Sequence, residues 1–302
     1  MATQSNFYGV YPPMITCFDE DGNFAWEKQQ NVIRFLIEKG VNGLWILGSY
    51  GAFPFFTKKE RKEIAEMIIN EVNGKVSIID HIGSASTKET IELAKHAQSA
   101  GAQAVASVIP YYYSSFAYTE EQIVKHFGAL VDSVDIPVFL YNNPRTTGYN
   151  VSPELLKRLA EVGVKGVKDS SGNYVQMAEY IMRVQLDYPE FTFFTGTAAL
   201  LLPSLMLGAQ GGVAGTGNAF PEIVVDIYRL FREGKYKEAS AQQNLVLKVR
   251  DLQGIEGFRP ASCYAMLRMR GIDAGTVKAP WKEIPKDKYE YVYQELKRLG
   301  VL

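Results

Sequence analysis

The 302-residue chain holds only two cysteines, Cys17 and Cys263, far apart in sequence. Thiols so placed supply neither a disulfide framework nor a thiolate zinc site. Histidine is almost as scarce, and His81, His96 and His126 show no metal-ligand spacing. An excess of one charge is missing too: 32 basic residues oppose 33 acidic ones, a formal net charge of −1. That balance removes the electrostatic reason to expect nucleic acid or an anionic membrane as partner. Long apolar runs are absent, since even Leu200 to Leu207 is broken by Pro203 and Ser204. The opening Met-Ala-Thr-Gln-Ser-Asn lacks the charged start and apolar stretch of a secretory leader. A soluble, cytoplasmic protein is the expectation.

What the chain does have is a repeated pattern: a short β-branched apolar run, a turn, then a polar-studded helical stretch. Val10 to Thr16 opens the series, followed by a helix from Trp26 to Lys39 that stops at Gly40. Gly43 to Leu47 precedes a helix after Thr57, a cap with Glu60 three residues on. Val76 to Asp80, Ala104 to Ile109 and Pro137 to Tyr141 precede helices starting near Thr87, Thr119 and Ser152-Pro153. Val164 to Lys168, Phe191 to Thr195 and Gly211 to Ala214 precede helices near Tyr174, Ala198 and Pro221. Eight such units in about 230 residues predict an eightfold (β/α) barrel. Residues 1–233 are expected to form that barrel and carry the active site, with 234–302 as a helical extension packed on it. An open doubly wound sheet is the runner-up, but its dinucleotide fingerprint fails: Phe220 stands where the third glycine after Gly215 and Gly217 belongs.

In a barrel the chemistry projects from the C-terminal strand ends. There the chain places Gly48-Ser49-Tyr50-Gly51, Pro110-Tyr111-Tyr112-Tyr113, Tyr141-Asn142-Asn143-Pro144, Lys168-Asp169-Ser170-Ser171 and Gly215-Thr216-Gly217-Asn218. Strand alternation puts Val164, Gly166 and Lys168 on one face. If that face points inward, burial lowers the lysine pKa and leaves a neutral amine, the form that attacks a ketone. A strand-end lysine reaching water is the alternative. Tyr141 ends the preceding strand and suits proton transfer in a dry pocket, or else is a core ring with a wet hydroxyl. The 48–51 loop offers backbone N–H groups and hydroxyls for a carboxylate, or is an ordinary turn. Tyr111, Tyr112, Tyr113, Phe116 and Tyr118 would be an exposed aromatic loop packing on another subunit. His96 and His126 read as surface residues, while Asp80-His81 could orient a neighbour. Leu47-Gly48-Ser49-Tyr50-Gly51 narrowly misses the nucleophile elbow of serine hydrolases.

Taken together, these motifs resemble the N-acetylneuraminate lyase / dihydrodipicolinate synthase superfamily of pyruvate-dependent class I aldolases, nearer its lyase branch. The likeness lies in Gly48-Ser49-Tyr50-Gly51, in Tyr141-Asn-Asn-Pro-Arg-Thr-Thr-Gly148 and in Gly166-Val-Lys168-Asp-Ser-Ser. It implies Lys168 as the imine-forming lysine, Tyr141 as proton shuttle and Ser49 as a binder of the pyruvate carboxylate. It also implies Tyr112 as a tyrosine lent across a dimer contact within a homotetramer. Gly48, Tyr50, Gly51, Thr146, Gly196, Thr197, Gly215 and Thr216 would line the substrate site. The implied partners are pyruvate or another 2-oxo acid plus an aldehyde, with no metal and no cofactor beyond the covalent lysine imine.

Departures from the family pattern bear on the aldehyde. Thr146 replaces the synthase branch's arginine, and Arg145, one position earlier, is expected to point elsewhere. Ala198-Ala199 replaces the Asp-Glu pair of sialic acid lyases. Tyr50 replaces a threonine and Ala52 a glutamate, which suggests a narrower, less polar mouth and a small or weakly polar aldehyde. Aldol cleavage or formation at C3–C4 is the leading expectation. A dehydratase or a dihydrodipicolinate synthase-type condensation through the same imine, a serine hydrolase using Ser49, and a pyruvate-binding protein without turnover are the alternatives.

Overall fold

The computed structural model describes residues 7–114, 116–255 and 258–302. The leader-free reading of residues 1–6 lies outside them. Among the described residues, eight short strands alternate with helices in the order β1 (Gly9–Val10), α1 (Trp26–Glu38), β2 (Gly43–Ile46), α2 (Lys58–Val72), β3 (Ser77–His81), α3 (Thr87–Ala100) and β4 (Ala104–Ser107). There follow α4 (Glu120–Val131), β5 (Val138–Asn142), α5 (Pro144–Thr147), α6 (Pro153–Glu161), β6 (Gly166–Asp169), α7 (Tyr174–Val184), β7 (Thr192–Thr195), α8 (Leu201–Leu207), β8 (Gly211–Gly212) and α9 (Pro221–Arg232). The helices α10 (Tyr236–Gln253), α11 (Arg259–Met269) and α12 (Lys286–Arg298) complete the chain.

Local chemistry sets the element ends. Thr57 and Glu60 form a reciprocal capping box on α2, as Thr119 and Gln122 do on α4. Ser152 caps α6 ahead of Pro153, whose missing N–H is no loss in a first turn. Pro203 is tolerated in the opening turn of α8 for the same reason. Several strands are shorter than their apolar runs. The first pairs regularly only at Gly9–Val10, because Pro12 and Pro13 have no N–H to donate.

All neighbouring strands run parallel, in the order β1-β8-β7-β6-β5-β4-β3-β2. The ring closes where Asn42 N–H donates to Val10 O (3.0 Å), Trp45 N–H to Pro12 O (3.1 Å) and Met14 N–H to Trp45 O (2.9 Å). This is a (β/α)8 TIM barrel. Strand alternation divides the core in two, as the pleat requires. Tyr11, Trp45, Ile79, Phe139, Tyr141 and Phe194 fill the interior, while Leu44, Ile46, Leu140 and Val167 meet the surrounding helices.

The C-terminal helices are tied to the barrel's active end. Gln243 on α10 accepts from Leu202 N–H (2.9 Å) and donates to Ala198 O (2.9 Å). On α11 the buried Tyr264 hydroxyl donates to Thr16 O at 2.7 Å. No helix among the described residues is long and apolar enough to cross a membrane.

Candidate active site

Lys168 sits on β6 directly beside Tyr141 on β5, the two being register partners. Gly166 and Lys168 face the interior: a Cβ on Gly166 would lie 2.3 Å from the Phe139 ring. Asp169 takes the other face, where it accepts from Asn142 Nδ2 (2.8 Å) and Ser171 Oγ (2.6 Å). The lysine is 2% exposed. Its Nζ lies 3.8 Å from the centroid of the Tyr141 ring and 4.5 Å from that of Trp45, and makes no hydrogen bond among the described residues.

Two effects oppose each other at this nitrogen. Aromatic faces favour the ammonium through cation–π attraction. Full burial disfavours it by stripping its solvation. Desolvation wins, and no carboxylate offsets it, so the pKa falls well below the usual lysine value. Burial thus favours the neutral form of the amine.

Tyr141 is 4% exposed. Its hydroxyl meets Ser49 Oγ at 3.3 Å and accepts from Asn143 Nδ2 at 3.1 Å. Burial raises its pKa, against the lowering effect of hydrogen bonds from Ser49, Ser170 and Asn143. The group is therefore a phenol whose conjugate base, once formed, is strongly basic. Beneath it lies His81, edge-on to the Tyr141 ring with centroids 5.8 Å apart. His81 Nδ1 meets Leu47 O at 3.0 Å and Nε2 accepts from Val108 N–H at 3.4 Å, which fixes the Nδ1-protonated tautomer. Burial, then the nearby charge of Arg61, pushes its pKa well down and keeps it neutral. His81 thus braces Tyr141; no group of three or more potential metal-binding side chains occurs among the described residues.

The 48–51 turn is bracketed by Leu47 (φ 49°) and Ala52 (φ 55°), two non-glycine residues in the left-handed region. The N–H groups of Ser49 and Tyr50 make no hydrogen bond among the described residues and stay available to an anion. Tyr50 crosses to the turn after strand eight: a Cβ on Gly215 would lie 2.3 Å from its hydroxyl, so that position favours glycine.

These groups open on a cavity of about 360 Å³. That volume accommodates a small 2-oxo acid with a short aldehyde. Ser49, Tyr50, Tyr141, Thr146, Gly196, Thr197, Gly215 and Thr216 all line it. Among the described residues, Lys168 does not itself line the cavity; its Nζ packs against the ring of Tyr141, which does. Gly48 and Gly51 shape the turn without lining the cavity.

Several expectations are corrected. Arg145 does not point elsewhere; it lines the cavity together with Thr146. The 144–147 segment is a helical turn, and consecutive helical residues are rotated by about 100° rather than 180°. The mouth is not less polar, because Arg145, Arg250 and Arg259 all line it. Ala52 is fully buried and lies outside the lining. His126 is a buried residue rather than a surface one, meeting Thr87 Oγ1 at 2.9 Å, with burial pushing its pKa down to about 4.

The aromatic loop is exposed only in part. Tyr111 and Tyr118 pack on the core, whereas Tyr112 is 77% and Phe116 75% exposed. Ser115 lies outside the described residues. Tyr112, held at φ 77°, is not among the residues lining its own chain's cavity. Sequence reasoning missed Trp45, although strand alternation placed it inside the barrel. It also missed the wall supplied by Arg250, Gln253 and Arg259 from the extension, for which no local pattern gives a signal.

Residues 6–299 match the model of the Dihydrodipicolinate synthetase family. An uncharacterized DapA-like lyase of Halobacterium salinarum is 35% identical over 296 residues, 98% of this chain and 95% of the relative. A 4-hydroxy-tetrahydrodipicolinate synthase of Methanocaldococcus jannaschii is 32% identical over 298 residues, 98% of this chain and all (100%) of the relative. The crystal structure of YagE, an Escherichia coli K12 prophage protein of the dihydrodipicolinic acid synthase family in complex with pyruvate, matches with a TM-score of 0.94 at 29% identity, covering 99% of this chain and 100% of that one. With the lysine, tyrosine and glycine-bounded turn gathered at the strand ends of such a barrel, this chain belongs to the dihydrodipicolinate synthetase family.

Proposed function

We propose that the protein is a class I aldolase that makes or breaks the C3–C4 bond of a 4-hydroxy-2-oxo acid, with pyruvate as the enamine component. The observation that carries this reading is the buried Lys168 amine packed against Tyr141, where desolvation disfavours its charged form. The pyruvate bound in YagE and the DapA-like, lyase-named relative support it.

In the cleavage direction the Lys168 amine adds to the C2 ketone and the nitrogen's proton passes to oxygen, giving a carbinolamine. Tyr141 donates its proton to the departing hydroxyl, so water leaves, and an iminium and a phenolate remain. The phenolate takes the C4 hydroxyl proton as the C3–C4 bond breaks. The bonding electrons flow into the iminium, giving an enamine, and the aldehyde departs. Protonation at C3 and hydrolysis release pyruvate and restore the amine. The iminium is the electron sink, so the proposed chemistry draws on no separate cofactor. Ser49 and the free N–H groups of the 48–51 turn would hold the carboxylate, fixing C2 within reach of the amine. Tyr112 enters the proposal from a second copy of the chain within a homotetramer, where its exposed ring would find cover.

Reversible enamine formation requires only pyruvate. The protein is therefore expected to exchange the methyl protons of pyruvate for deuterium in D2O, followed by proton NMR, while the Lys168→Ala protein does not. Exchange no faster than in protein-free buffer would contradict the proposal.

A further inference from the structure

The outer part of the cavity carries an unusual charge arrangement. Its depth runs from the buried Tyr141 to the exposed Arg145, and there Arg145, Arg250 and Arg259 converge from α5, α10 and the start of α11. Among the described residues, no aspartate or glutamate lines the cavity. None of the three arginines forms an ion pair among the described residues. Arg158, Arg229, Arg268 and Arg270, by contrast, each hold a carboxylate at 3.1 Å or less. Asp251, the sequence neighbour of Arg250, is exposed and lines a separate groove with Tyr291 and Arg298.

The wall is also braced. Arg259 Nε donates to Arg250 O at 3.3 Å, and its guanidinium covers Gly254, where a Cβ would lie 2.8 Å from one of its nitrogens. Gln253 ties this unit to strand eight, accepting from Thr216 Oγ1 at 3.1 Å and donating to Arg259 O at 3.4 Å. Burial, then repulsion from Arg259, holds the Arg250 pKa below its ordinary value, against the raising influence of Tyr50 and Asp251; Arg145 adds a smaller lowering effect. Like charges placed together with no ion pair among the described residues cost stability unless something else compensates. An anion in the cavity removes that cost and suits the forked donors of guanidinium groups.

We propose that Arg145, Arg250 and Arg259 form a recognition wall for an anionic group, phosphate or carboxylate, carried on the aldehyde half of the substrate. This replaces the weakly polar aldehyde expected from Tyr50 and Ala52, and it rests on the aldolase reading. The 48–51 turn then takes the carboxylate of pyruvate, and the arginine wall takes the far end of the same molecule. Of the three, Arg145 is the exposed member, and its replacement leaves the barrel's core intact.

The test is condensation of pyruvate with three aldehydes: glyceraldehyde, glyceraldehyde 3-phosphate and succinic semialdehyde. At least one charged aldehyde is expected to show kcat/KM about 30-fold or more above the neutral one. Which charged aldehyde leads separates a phosphate from a carboxylate source. In Arg145→Gln and Arg250→Gln the charged-to-neutral ratio is expected to fall about 10-fold, chiefly through KM. Equal use of charged and neutral aldehydes, no turnover of either charged one, or a ratio unmoved in both variants would overturn the wall. Deuterium exchange of pyruvate, measured on the same samples, tells this failure from failure of the aldolase itself: exchange persists if only the wall is wrong, and is absent if the reading beneath it is wrong.

Discussion

Lys168→Met is expected to abolish aldol turnover and to raise the protein's stability. The first effect follows from loss of the buried amine against Tyr141, without which no iminium forms and C3–C4 cleavage has no electron sink. A residual rate at least about 10⁴-fold lower is the expected outcome of losing covalent catalysis while the cavity stays intact. The second effect follows from the environment. Methionine fills the same interior space without a polar nitrogen that lacks a hydrogen bond, and the gain should be about 1–3 kcal/mol by denaturant unfolding.

The pH dependence sharpens this. The folded-state pKa of Lys168 lies well below the unfolded value, so between the two the unfolded chain binds more protons. The wild-type protein therefore carries a stability cost that is full below the folded pKa and fades as pH rises toward the unfolded lysine value of about 10.4. The advantage of Lys168→Met should shrink in alkali and grow as pH falls toward the folded pKa. An advantage independent of pH, or a loss of stability at neutral pH, would mean that the amine is charged and compensated in the folded state.

Tyr141→Phe should separate the two halves of the chemistry. Proton transfer by a positioned side chain contributes about 10²–10⁴-fold, and kcat is expected to fall by that factor. Lys168 keeps its aromatic neighbour, so the variant should still accumulate the pyruvate imine at full stoichiometry, only more slowly. Single-turnover measurement of imine formation beside steady-state kcat makes the comparison. A loss confined to KM would show that Tyr141 binds substrate without moving protons.

Much of the barrel was legible because its signals are local. Capping at Thr57, Thr119 and Ser152 starts helices where the side-chain and backbone donors dictate. Gly166 and Lys168 share a face by strand alternation, and the inward direction of that face follows from where Val167 packs. The neighbourhood of Tyr141 and Lys168 was legible too, since consecutive strands pair in a parallel barrel.

Other features depend on geometry that the local pattern misstates or omits. Arg145 was misplaced because the chain leaves strand periodicity at Asn143 and enters a helical turn. The burial of His126 was in fact encoded: with Ile123, Phe127 and Leu130 it completes an i, i+3, i+4, i+7 stripe on α4. The arginine wall was not encoded locally. Arg250 and Gln253 share a face of α10 by their spacing, but nothing in that spacing says the face meets the mouth of a barrel built by residues far earlier in the chain. Only the docking of α10 and α11 brings them there.

The most direct test of the central claim is borohydride reduction of the protein in the presence of pyruvate, followed by peptide mapping by mass spectrometry. A single reduced pyruvyl adduct on Lys168, absent without pyruvate and absent from Lys168→Met, is the predicted result. An unmodified Lys168, or an adduct spread over exposed lysines with none at residue 168, would contradict the account.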